Sequence, residues 1–315
     1  MKSFEKDIKI SGVGIHSGVS VNLVIKPSDK SGIFFKRVDM PGSDLIPAKW
    51  DSVDRRKMLN TTIANKSGAY VQTIEHLMAA LYIYGVDSAI IEIDGSETPV
   101  MDGSAKEFLE LFQGYKITGG GPAKKIIVKK EVIAHKFEVI KNLPLVHRIA
   151  LWFHNLKLGR KENGFVRLSP DSQGLVINAT LIYPDKVIGE QCFEYLFDGS
   201  KKSINVFMSD IARARTFGKL SEWEYLKKRG MGRGANENNV IALNDTGDGT
   251  INKLIWGNEF VRHKIIDAIG DLYTSGGNII GKLESYKGSH ALNNLVLKKL
   301  FSDPSNYDII ESEKV

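Results

Sequence analysis

Cysteine is nearly absent from this 315-residue chain: Cys192 stands alone. No intrachain disulfide and no cysteine-cage zinc site can form, and nothing argues for an oxidising compartment. Long apolar runs are missing too. No stretch approaches the about 18 apolar residues that a membrane-spanning helix requires. The opening Met1-Lys-Ser-Phe-Glu-Lys-Asp-Ile-Lys puts charges where a secretory signal needs an apolar stretch. The expected compartment is the cytoplasm. With 42% hydrophobic and 25% charged residues, the chain is neither collagen, nor a disordered tail, nor a disulfide scaffold. A chain this long buries roughly three quarters of its unfolded surface and exceeds the size at which one core usually divides, so two domains are expected.

The formal net charge is +6, and it is unevenly spread. Residues 124–161 hold ten Lys/Arg against Glu131 and Glu138, +8 locally, which leaves −2 for the rest. Such a segment fits a solvated face or an anionic surface such as phospholipid.

The clearest break is Thr118-Gly-Gly-Gly-Pro, a flexible joint that places a boundary near residue 120. The expected units are residues 1–119 and 120–315. In the first, Val21–Ile25, Gly32–Val38 and Ala89–Ile93 read as strands, and Gln72–Tyr84 and Ser104–Phe112 as helices. In the second, Lys125–Lys129, Gly174–Ile182 and Asn278–Tyr286 read as strands, and Phe260–Tyr273 and Ala291–Leu300 as helices. A partial repeat is visible: the segment from His76 to Ile91 can be laid on Asp267 to Ile280 with a two-residue gap. Each half then reads as an α+β unit, and His76 and Asp267 fall at equivalent positions.

Four of the seven histidines suggest no ligand pair. His135, His147 and His154 are spaced 12 and 7 apart in the basic segment, and His16 sits in a glycine-rich turn. His263 and Asp267 differ. At i and i+4 on a helix their side chains diverge by about 40° and stand one turn apart. Alone, the pair fits either a structural His–Asp hydrogen bond or a cation site. The Glu75-His76 pair adds weight, because the repeat brings His76 toward the other two. Two histidines and one aspartate make a three-ligand zinc set with an open position for water. Zinc lowers that water's pKa to about 7, and Glu75 beside a ligand can act as general base. Asp271 shares the helical stripe and is suited to orient a histidine; His290 lies in a glycine turn at a helix start.

Six segments now stand together: Ser11-Gly-Val-Gly-Ile-His-Ser-Gly, Thr73-Ile-Glu-His-Leu-Met-Ala-Ala-Leu, Pro99-Val-Met-Asp-Gly-Ser-Ala, Arg213-Ala-Arg-Thr-Phe-Gly, Phe260-Val-Arg-His-Lys-Ile-Ile-Asp-Ala-Ile-Gly-Asp-Leu and Gly288-Ser-His-Ala-Leu-Asn-Asn. In this order, from about 10 to 300, the chain resembles the UDP-3-O-acyl-N-acetylglucosamine deacetylases, the zinc amidases of lipid A biosynthesis. The resemblance implies two similar α+β domains related by a pseudo-twofold, with helices sandwiched between two sheets. It implies zinc on His76, His263 and Asp267, with iron(II) suiting the same donors, and Glu75 as general base. It implies a charged His290 that protonates the leaving amine or stabilises the oxyanion, with Asp271 beside it. Thr216 would hydrogen-bond the tetrahedral intermediate, and Phe217 would lie near the site. Lys264 and Lys287 would meet the anionic nucleotide-sugar. An insert at about 217–242 would line an acyl passage with Leu220, Trp223, Val240 and Ala242.

The chain departs from that pattern in places. Asn60 replaces a cysteine of well-known members, Glu237-Asn-Asn-Val is less apolar, and 134–172 is longer. Gly230-Met-Gly-Arg-Gly lacks the Gly-Lys-Ser/Thr ending of a phosphate loop and reads as a mobile turn. A nucleic-acid-binding reading has the basic segment with Trp152 and Phe153, but no recognised motif. It leaves the His/Asp and Glu/His pairs unexplained, so no nucleic-acid partner is expected. A metal-free scaffold would not need all of Glu75, His76, His263, Asp267 and His290. Another N-acetylated sugar is separated as substrate only by the acyl-passage segment. The expected protein is a monomer whose basic segment 124–161 meets anionic membrane, since the implied substrate carries a fatty chain. Deleting residues 135–165 should then reduce co-sedimentation with anionic vesicles; equal binding by both proteins discards that contact.

Overall fold

The computed structural model describes residues 1–54, 59–121, 123–141 and 163–311. The first part of the chain forms β1 (Lys2–Phe4), β2 (Ile8–Val13), β3 (Ser20–Lys26), β4 (Gly32–Arg37), β5 (Ile46–Pro47), β6 (Ile63–Ala64), β7 (Tyr70–Val71), α1 (Glu75–Tyr84), β8 (Ser88–Ile93), α2 (Lys106–Phe112) and β9 (Ile117–Gly119). Then follow β10 (Lys125–Val128), β11 (Val132–His135), α3 (Lys136–Lys141), β12 (Phe165–Ser169), β13 (Leu175–Ile182), β14 (Glu190–Phe197) and α4 (Lys201–Asp210). The last part holds β15 (Phe217–Lys219), α5 (Leu220–Lys228), β16 (Ile241–Leu243), α6 (Glu259–Tyr273), β17 (Asn278–Tyr286), α7 (His290–Phe301) and β18 (Tyr307–Ile310). The fold is α+β, as expected.

Two larger sheets carry the architecture. One has the order β2-β3-β8-β4-β5 and takes all its strands from before residue 120. The other is seven-stranded and takes all its strands from after it. Its centre is β17, which pairs antiparallel with β12 and parallel with β10 and β13. Buried and half-buried residues alternate along β17, so one face looks into the core.

Helices α1 and α6 are buried almost all round, as helices covered by protein on every side are. α6 packs on β13, β14 and β17 and also on α1. The two helices approach unusually closely, because a β-carbon on Gly270 would sit 1.9 Å from the Glu75 carbonyl oxygen. α1 stops at Gly85, whose φ of 81° lets its N–H reach the Leu81 and Tyr82 carbonyls. It starts at Glu75 rather than Gln72, because Thr73 has a left-handed φ of 61° and breaks the helical path. α7 includes His290, with Ser289 as the N-cap accepting from the Leu292 amide.

The stretch from Phe217 to Leu243 folds as a β-α-β unit in which β15 and β16 run parallel. Its glycine turn is not the free turn expected. The Arg233 and Gly234 amides donate to the carbonyls of His16 and Ile15, at 3.2 and 3.0 Å. The unit is thereby tied to the loop between β2 and β3. No described helix is long and apolar enough to cross a membrane. Most of the basic segment, including His147, Trp152, Phe153 and His154, lies outside the described residues.

The close helix crossing makes a prediction. Gly270→Ala should destabilise the protein by about 2 kcal/mol or more, because backbone must move. Gly120→Ala, where a β-carbon meets nothing within 4 Å, should stay within about 0.5 kcal/mol of wild type. Urea unfolding of both variants measures this, and equal midpoints would contradict it.

Candidate active site

The crossing of α1 over α6 presents His76 from one helix and His263 and Asp267 from the other. His76 Nε2 lies 3.6 Å and His263 Nε2 3.3 Å from Asp267 Oδ1. The two imidazoles meet edge to face, with centroids 4.9 Å apart. The three donor atoms all lie within 4.8 Å of one another, and all three residues are buried. His263 Nδ1 lies 3.0 Å from the Ala214 carbonyl. Donating there leaves Nε2 with its lone pair toward the cluster. Burial pushes the His263 pKa down to about 3, which keeps that lone pair available.

Asp267 is the informative member. Its Oδ2 accepts from Lys264 Nζ at 2.7 Å. Its Oδ1 is buried and, among the described residues, has no hydrogen-bond partner. Burial opposes ionisation of this carboxyl, but the neighbouring His263, Lys264 and His290 outweigh it and hold it well below the usual carboxylate range. A buried anionic oxygen without a donor is expensive, and the His263 lone pair beside it makes matters worse. A divalent cation resolves the conflict, and two His with one Asp suit zinc or iron(II). The residues present therefore fit a metal.

Beside this cluster stand a second carboxylate and a third imidazole. Glu75 is buried, and burial raises its pKa despite the opposing charges of His290 and His76. Its Oε2 accepts from the Thr61 amide at 3.0 Å, and its Oε1 lies 3.9 Å from His290 Nε2. His290 Nδ1 donates to Asp271 Oδ2 at 2.8 Å. Asp271 also accepts from Asn293 Nδ2 at 2.8 Å and from the Thr61 hydroxyl. Burial works against the imidazolium of His290, but Asp271, Glu75 and Asp267 overcome it and raise its pKa to about 10.

A cavity of ≈ 200 Å³ opens over these groups. Its reactive wall holds Glu75, His76, His263, Lys264, Asp267 and His290. Its other wall holds Thr216, just before β15, and Phe217, the first residue of β15, together with Trp223 and Val240. Phe217 packs edge to face on Phe260 at 5.0 Å, with the Lys264 ammonium 5.5 Å from its ring centre.

Three expected residues lie elsewhere. Leu220 is 37% exposed at the first turn of α5 and does not line the cavity; Leu226 and Ala235 do. Ala242 is fully buried in a small cluster with Trp223 and Val240, behind the wall rather than on it. Lys287 donates to Asn163 Oδ1 at 3.1 Å and is not among the lining residues. His16, read only as part of a turn, does line the cavity. Thr61 and Asn293 carry no signal of their own in the sequence, although Asn293 sits in the last of the quoted segments.

A buried triad that could hold a metal ion, next to a carboxylate and a charged imidazole and opening with them on one cavity, is the arrangement of a hydrolase centre. The chain belongs to the UDP-3-O-acyl N-acetylglycosamine deacetylase family, whose model matches residues 1–302. A UDP-3-O-acyl-N-acetylglucosamine deacetylase of a Nitratiruptor species is 37% identical over 313 residues, covering 99% of this chain and 93% of the relative. Proteins of the same name from Neisseria meningitidis serogroup A and Campylobacter lari are 35% and 36% identical, covering 98% of this chain and 92% and 94% of theirs.

The charge on His290 can be tested directly. In the metal-free protein, Asp271→Asn should lower the pKa of His290, read by NMR from its ring proton. A ring still titrating near 10 would contradict the assignment. The sign for stability follows from the raised value. The contribution of His290 is fully present below its ordinary 6.5 and is lost as pH rises through about 10.

Proposed function

We propose that this protein hydrolyses the N-acetyl group of UDP-3-O-acyl-N-acetylglucosamine and releases acetate, the committed step of lipid A synthesis. Family membership and near-full-length relatives of that name support the substrate. The observation that carries the chemistry is Asp267 Oδ1, buried, unpartnered among the described residues and flanked by two imidazole Nε2 atoms. His76, His263 and Asp267 hold the metal, for which zinc is the assignment. When bound, it supplies Lewis acidity that acidifies a water and polarises the acetyl carbonyl.

The remaining work falls to the protein's own side chains. The water oxygen bonds to the acetyl carbon, and the C–N bond breaks once the nitrogen has gained a proton. Glu75 takes the water's proton through Oε1, the oxygen that Thr61 leaves unbound. Its raised pKa brings it toward the range of an effective general base. His290, held charged by Asp271, faces the developing oxyanion and donates to the leaving nitrogen. Thr216, on the cavity wall, hydrogen-bonds the tetrahedral intermediate. Lys264, at the rim of the triad, meets the anionic nucleotide-sugar. Phe217, Trp223 and Val240 receive the start of the acyl chain. The same reading takes residues 1–119 and 120–315 as two domains, each giving one ligand-bearing helix. Support comes from the two larger sheets, neither of which crosses residue 120.

An acetate-release assay with metal analysis and chelator reversal on one preparation tests the whole reading. Metal-loaded protein that releases no acetate would sink it. Glu75→Ala should retain metal while kcat falls about 10²- to 10⁴-fold; loss of metal in that variant would make Glu75 structural. His263→Ala should lose the metal.

A further inference from the structure

The proposed reaction, on which the role of Thr61 rests, needs Glu75 and His290 at fixed places on either side of one amide. Each carboxylate that sets this geometry has two oxygens. Glu75 turns Oε1 toward His290 Nε2 and gives Oε2 to the Thr61 amide. Asp271 gives Oδ2 to His290 and Asn293, and Oδ1 to the Thr61 hydroxyl. We infer that Thr61 is the positioning residue for this acid–base pair, holding the far oxygen of Glu75 with its amide and the far oxygen of Asp271 with its hydroxyl.

The surroundings make Thr61 a rigid holder. Thr61, Glu75 and Asp271 are 3%, 3% and 2% exposed, so water does not compete for these bonds. The Thr61 carbonyl accepts from the Ile74 amide at 3.3 Å, tying it to the residue just before α1. Its neighbours join the same framework. Asn60 Nδ2 donates to Thr73 Oγ1 at 3.0 Å, and the Thr62 hydroxyl donates to Asn60 Oδ1 at 2.8 Å. Thr61 also spans the two parts of the chain, being 14 residues from Glu75 and 210 from Asp271. Among the described residues, the Thr61 hydroxyl is the one donor to Asp271 Oδ1. Without it the carboxylate can turn about its bond and carry His290 off line. Misplacement of a reacting group by about 1 Å can cost about 10²-fold in rate.

Thr61→Val removes the hydroxyl and keeps both shape and amide. The expected result is a fall in kcat of about 10- to 100-fold, with KM within about twofold and metal content unchanged. Thr61→Ser should bring kcat back to within about threefold of wild type. A second readout is independent of turnover. In metal-free protein labelled with ¹⁵N-histidine, the His290 Nδ1 proton should shift upfield in Thr61→Val and return in Thr61→Ser. If Thr61→Val does not fold, Thr61→Ala takes its place. Four outcomes overturn the inference: wild-type kcat in Thr61→Val, a loss in Thr61→Ser as deep as in Thr61→Val, loss of metal, or a change confined to KM. Wild-type protein that releases no acetate would instead defeat the proposed reaction, and the His290 signal alone would then decide the role of Thr61.

Discussion

The Glu75 carbonyl lies so close to Gly270 that no β-carbon fits between the two helices. The rest of the site depends on that contact. Neighbouring helices usually keep their axes about 8–10 Å apart, with side chains filling the gap. A side chain missing from α6 at this point lets the backbones meet. His76, one residue after Glu75, and Asp267, one turn before Gly270, then face each other across the crossing at 3.6 Å. His263 follows without further demand, since it sits one turn earlier on the same helical stripe and 3.3 Å from the same oxygen.

Placing so many ionisable groups inside a protein is costly unless each is compensated. Here the compensation is nearly complete on one side and withheld on the other. Asp271 accepts from Thr61, His290 and Asn293. Asp267 Oδ2 has the Lys264 ammonium, and the carboxylate of Glu259, fully buried, is held by Arg215. Against that background the bare Oδ1 of Asp267 is an exception with a direction, since it faces the two histidines. Carboxylates held by their neighbours, with the one oxygen that faces the two histidines left bare, are rigid where orientation matters and under-coordinated where a cation fits.

The unit from Phe217 to Leu243 gives the cavity its second wall. It belongs to the later part of the chain, yet its glycine turn hydrogen-bonds the loop between β2 and β3. That loop is fixed from its other side by Glu97, whose carboxylate accepts the His16 and Ser17 amides. Glu97 also accepts from Thr73, the strained residue that sets the start of α1. A left-handed threonine costs roughly 1–3 kcal/mol. Here Asn60, Glu97 and Thr98 hold it in place, so the strain is borne at the point where Glu75 and His76 enter the site.

Periodicity along single elements is legible in residue order. The helical stripes of α1 and α6 and the alternation in β17 can each be read there. So can the Glu75-His76 and His263/Asp267 pairs, because an i, i+4 relation is decided within one helix. What residue order alone does not carry is convergence between distant segments. Thr61 reaches Asp271 across 210 residues, and only packing brings them together. The inward face of α5 is hidden for a related reason. Leu220 and Leu226 are equally apolar, and the rotation of the helix on its neighbours exposes one and sets the other against the cavity. Sequence determines what each segment can be; the tertiary structure decides which atoms meet, because side-chain contact depends on the relative placement of elements that no local pattern encodes.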